Sequence, residues 1–99
     1  MKLINYNNLT ELRTNFINYL KTHHPNIARP EIRAGNALFI GRNNIGISLE
    51  ETLTSSNGIE RAQKLLKEYW ISKGTRKNPE NNASVYAHDL RLLKDYIES

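Results

Sequence analysis

A chain of 99 residues with a formal charge of +4, 38% hydrophobic content and no cysteine is large enough for one small core and too small for two, and it has no disulfide scaffold, thiolate metal site or cysteine nucleophile. The opening Met1, Lys2, Leu3 and Ile4 run straight into Asn5, too short an apolar stretch for a secretory leader, and no run approaches the ~18 residues of a membrane span, so the chain reads as soluble and cytoplasmic. Thirteen asparagines and seven lysines point to AT-rich coding, as in low-GC bacteria and their phages.

Residues 8–24 place Leu9, Leu12, Phe16, Ile17 and Leu20 on one helical face. Asn8 stands at the N-cap with Glu11 three residues on, a capping-box pattern, and Pro25 closes the far end. Residues 30–44 carry Ile32, Ala34, Ala37, Leu38, Phe39 and Ile40 nearly all round a helical wheel, as a mostly buried central helix does. A short β-hairpin of residues 37–40 and 45–49 is the alternative, and the helix is preferred because Pro30 suits a first turn and Gly46 a stop. Ser48 with Glu51 predicts a short helix over 48–53, ended by Thr54, Ser55, Ser56 and Asn57. Asn57 with Glu60 repeats the capping signal, and Ile59, Ala62, Leu65, Leu66, Tyr69 and Trp70 then form the clearest amphipathic stripe in the chain, stopped by Gly74. The polar stretch 75–82 reads as a surface loop, and Val85, Tyr86, Leu90, Leu93 and Ile97 mark a final helix over 83–97. The expected fold is all-α, a small orthogonal bundle of four main helices plus one short helix in a single domain spanning 1–99. Its end in mid-helix reads as a domain boundary, which suits the N-terminal module of a longer nuclease or integrase.

Catalytic signals are weak. His23, His24 and His88 lack a motif that supplies a partner: the first pair reads as a helix end, and His88 and Asp89 diverge by ~100° on a helix. Gly35, Gly41 and Gly46 do not follow a phosphate-cradling pattern. The expectation is therefore a non-enzymatic protein with no cofactor and no metal.

The charge pattern says more. Residues 61–79 carry Arg61, Lys64, Lys67, Lys73, Arg76 and Lys77 against Glu68 alone, a local balance of +5. Lys73, Arg76 and Lys77 crowd a helix end, Asn82 offers a helix N-terminus, and Arg91 and Lys94 share a face of the next helix, a set of groups suited to phosphates. Arg29, Arg33 and Asn36 form an i, i+4, i+7 row of the residue types that read guanine and adenine edges, although the flank of a buried helix explains the row as well. Tyr69, Trp70 and Tyr86 lie on apolar stripes and read as core rather than as a base-stacking platform.

Residues 83–97, with a small polar start, Tyr86, then Asp89, Leu90 and Arg91, and an apolar-aromatic end at Tyr96 and Ile97, resemble a helix in the SAM-like core-binding domain of phage integrases and other tyrosine recombinases. In that family a small helical bundle clamps DNA beside a separate catalytic domain, so the resemblance implies DNA binding through backbone contacts. Further helices follow this one in the family, whereas here it ends the chain, and the family's catalytic domain has no counterpart. Recombinase activity is not implied.

The leading expectation is a DNA-binding module of a bacterium or mobile element that holds duplex DNA electrostatically. The rival is a small phage- or plasmid-type inhibitor that binds a host defence or nucleic-acid enzyme, with Glu50, Glu51 and Glu60 mimicking phosphate toward a basic partner.

Overall fold

The computed structural model describes residues 2–99; Met1, the first residue of the segment weighed as a leader, lies outside the described residues. Six helices follow in order: α1 (Leu9–His23), α2 (Pro30–Ala37), α3 (Phe39–Arg42), α4 (Leu49–Thr54), α5 (Gly58–Lys73) and α6 (Pro79–Glu98). The chain is an all-α bundle, with no strand among the described residues. Four helices are long and two are short, one short helix more than the sequence suggests.

The extra helix arises because the segment starting at Pro30 breaks at Leu38, whose φ of −91° and ψ of 0° end α2 and turn the chain into α3. This explains the apolar residues all round the wheel: two short helices separated at Leu38 each bury their own residues, Ala34 and Ala37 from α2 and Ile40 from α3. The alternation behind the hairpin alternative is also present, since Ile45, Ile47 and Leu49 are buried while Gly46 and Ser48 are exposed. It is an irregular segment pressed on the core, bent at residues 45–47 with Gly46 at a φ of +103°, and forms no strand.

Local chemistry sets most helix ends. Asn8 Oδ1 accepts the Glu11 N–H at 3.1 Å, and Glu11 accepts in return from the Asn8 side-chain amide at 3.4 Å. Ser48 Oγ accepts the Glu51 N–H at 3.0 Å, and the buried Thr52 hydroxyl donates to the Ser48 carbonyl at 2.7 Å. The Asn57 signal is corrected: Asn57 occupies the N-cap of α5 but its side chain caps nothing. Gly58 decides that junction instead. A Cβ there would collide with the Thr52 carbonyl and lie 2.7 Å from the Glu51 carbonyl, so α4 and α5 meet as closely as they do only because no side chain intervenes. The predicted loop over 75–82 is shorter, because Asn78 Oδ1 accepts the Asn81 N–H at 3.1 Å and Pro79 takes the first helical position. The polar opening turn of α6 hid that start from the apolar periodicity.

Packing centres on α6, which touches α1, α2, α4 and α5. Its buried Ala83, Ala87, Leu90, Leu93 and Ile97 meet Phe16 and Leu20 of α1, Leu66 and Trp70 of α5, and Leu53 of α4 in one continuous core. The helices α5 and α6 pack along each other through the short connection between them. The Lys2 N–H donates to the Ile97 carbonyl at 2.8 Å, tying the opening segment to the end of α6.

Two glycine substitutions are expected to act in opposite directions in urea unfolding. Gly58→Ala forces α4 and α5 apart and costs about 1–3 kcal/mol. Gly35→Ala, in α2 where an added Cβ meets nothing within 4 Å, stabilises by about 0.5–1 kcal/mol.

Candidate nucleic-acid interface

The basic end of the molecule is built by the junction of α5 and α6. Gly74 leaves α5 at a φ of +68°, the left-handed conformation that glycine adopts without a Cβ penalty, and its N–H donates to the Trp70 carbonyl at 2.9 Å. Four residues later the Asn78 cap opens α6. The link is short and fixed at both ends, and it carries Arg76 and Lys77 beside Lys73 of α5.

Arg76 is half-buried, with its guanidinium carbon 4.6 Å from the centroid of the Trp70 ring and 5.8 Å from that of Tyr86, and its Nη2 donates to Tyr86 Oη at 3.4 Å. Lys73 Nζ lies 5.4 Å from the Tyr69 ring centroid. Lys77 is fully at the surface. Lys64 and Lys67 lie further back along α5, three residues apart and therefore on one face. Arg61, the sixth cation of this region, is withdrawn: its Nη2 is 2.7 Å from Glu51 Oε2 and also donates to Ser55 Oγ. Among the described residues, ion pairs within 4.0 Å are Lys21 with Glu31, Arg33 with Asp89 and Arg61 with Glu51, so none of Lys64, Lys67, Lys73, Arg76 and Lys77 is neutralised by a carboxylate.

The other candidates lie apart from this group. Arg91 and Lys94 are 12 and 15 residues after Pro79 on the same unbroken helix, about 18 to 22 Å from the connection. Each has a carboxylate four residues on, Asp95 and Glu98, as Lys64 has Glu68, and none of these spacings closes to an ion pair within 4.0 Å among the described residues. Asn82 does not present a helix N-terminus, because its N–H donates to the Asn78 carbonyl at 3.0 Å inside α6. The row Arg29, Arg33, Asn36 does not read outward as a unit either. Arg29 precedes α2 at a φ of +55°, a left-handed conformation that costs a non-glycine residue about 1–2 kcal/mol, and its carbonyl accepts from Ile32 and Arg33. Arg33 and Asn36 turn inward to Asp89.

Asp89 is a buried group that sequence reasoning missed. It has no exposed surface, and it is held by Asn36 Nδ2 at 2.9 Å and Arg33 Nη1 at 3.5 Å. Burial pushes its carboxyl above the ordinary aspartate range, while the Asn36 hydrogen bond and the positive charges of Arg33 and His88 pull it partly back. One signal could have found it: Asp89 sits three residues after Tyr86 and one before Leu90, on the flank of the apolar stripe. The aromatic residues behave as core, with Trp70 2% exposed and Tyr69 and Tyr86 half-buried against it.

A separate shallow groove of about 760 Å³, lined by Tyr6, Arg42, Asn43, Asn44, Ser48 and Glu50 among others, joins no nucleophile to a base. No helix of the described residues is long and apolar enough to cross a membrane. No protein-family model, curated protein or solved structure matches the chain.

The Asp89 network has a readable pH signature. The folded state binds the Asp89 proton more tightly than the unfolded chain does, so the stability it contributes is present below the ordinary aspartate pKa and is lost as pH rises through the raised folded value. Denaturation of wild type and Asp89→Asn from acid to neutral pH is expected to show their difference shifting against wild type as pH rises. Asn36→Ala is expected to cost about 1–3 kcal/mol and to raise the Asp89 pKa further, as followed by carboxyl-carbon NMR.

Proposed function

We propose that the chain is a non-enzymatic helical DNA-binding module of a bacterial or mobile-element protein, gripping the phosphate backbone of duplex DNA through the α5–α6 connection and the adjoining turns of α5. One observation carries this reading: Lys64, Lys67, Lys73, Arg76 and Lys77 are concentrated on α5 and the connection after it, and among the described residues none of them lies within 4.0 Å of a carboxylate. Such cations, on α5 and on a connection fixed at both ends, suit a polyanion, which gains by releasing its condensed counterions. The resemblance of residues 83–97 to a helix of integrase core-binding domains supports the same reading.

The rival reading, an inhibitor that presents Glu50, Glu51 and Glu60 to a basic partner, has less to stand on, because Glu51 is paired with Arg61. Arg29 remains exposed before α2 and is the member of the proposed base-reading row best placed for a backbone contact.

Fluorescence anisotropy with a random-sequence duplex is the test. If the five partnerless cations each meet a phosphate, log affinity falls against log salt with a slope of about −4.5. Lys64→Glu with Lys77→Glu, both exposed and away from the aromatic core, flattens that slope by about two phosphate contacts. Absence of binding at low salt overturns the reading.

A further inference from the structure

Three aromatic side chains at the basic end already carry cations. Arg76 lies over Trp70 at 4.6 Å and near Tyr86 at 5.8 Å, and Lys73 lies over Tyr69 at 5.4 Å. Behind them Trp70 and Tyr86 meet edge to face with centroids 4.8 Å apart, and Phe39 packs on Trp70, Tyr69 and Tyr86 at 5.6, 5.9 and 5.7 Å. Trp70 retains 2% of its surface. A protein that holds single strands needs aromatic faces on which bases can stack. Here a base would have to compete with a cation already in place, and on Trp70 it would also have to open the core.

The same contacts restrict Arg76. A guanidinium over an aromatic ring keeps its donors in its own plane, and Tyr86 Oη accepts one of them at 3.4 Å. Gly74 and the Asn78 cap fix the backbone on either side. Less freedom is then lost when an anion docks than for an unrestrained surface arginine.

We infer that Trp70 and Tyr86 are positioning residues that hold Arg76 as a preset phosphate clamp and that their occupied faces make the site blind to bases. Its ligand is the sugar-phosphate backbone of a duplex, and single strands gain nothing from stacking. This rests on the DNA-binding reading above and adds to it which groups orient the clamp and which class of nucleic acid it excludes.

The experiment compares a random duplex, a base-bearing single strand and an abasic strand of equal phosphate number by anisotropy, with the emission of Trp70, the only tryptophan in the chain, recorded in parallel. The duplex is expected to bind tightest, the two strands to bind equally, and the Trp70 emission to stay unchanged. Tyr86→Phe keeps the ring and removes the oxygen that receives Arg76. It is expected to lower duplex affinity about threefold to tenfold with the salt slope unchanged, and Arg76→Lys to lower it about tenfold, with thermal unfolding confirming that both variants fold. A base-bearing strand that binds more tightly than the abasic strand and quenches Trp70 overturns the inference while leaving DNA binding intact. Unchanged affinity in folded Tyr86→Phe overturns the positioning role. Failure of all three nucleic acids to bind removes the DNA-binding reading and the inference with it.

Discussion

Four helices press on α6, and its inner turns must therefore be buried over much more than one stripe. Ala83, Ala87, Leu90, Leu93 and Ile97 fill the side toward the core, and the flank facing α2 brings Asp89 inside with them. A carboxylate without solvent is tolerated only when hydrogen-bonded and paired. Asn36 and Arg33 supply both partners from α2, at 2.9 Å and 3.5 Å, so the docking of α2 on α6 is specified by one polar contact set into an apolar interface. Beyond that contact α2 ends at Leu38, and Leu38 and Ile40 are 0% and 4% exposed on either side of the break.

The junction of α4 and α5 is organised by close backbone approach. Gly58 lets α5 start directly against α4, and Arg61, one turn later, reaches back to Glu51 at 2.7 Å. That pairing concentrates the remaining positive charge toward the other end of α5. Among the described residues the cations from Lys64 to Lys77 have no carboxylate within 4.0 Å, and Lys73 and Arg76 lie over rings of a cluster of Phe39, Tyr69, Trp70 and Tyr86. Packing and charge are joined at Arg76, whose guanidinium lies over aromatic surface while its charge remains part of the basic end.

The side-chain N-caps at Asn8 and Ser48, the glycine stop at Gly74 and the amphipathic stripe of α5 were determined by sequence alone, because each depends on residues three or four apart within one helix. The all-α class and the basic stretch ending at Lys77 were legible for the same reason. Tertiary structure decided what depends on residues far apart in the chain. Arg33 and Asn36 look like an outward polar row until Asp89, more than fifty positions away, draws them in. Arg61 looks like one more free cation until α4 folds back beside it. Arg91 and Lys94, close to the loop in sequence, stand 12 and 15 residues along the unbroken α6 from Pro79. Local hydrogen bonds close within a turn and leave a pattern in the sequence, whereas the partner of a buried carboxylate, or the distance between two charges, is fixed only when the helices pack.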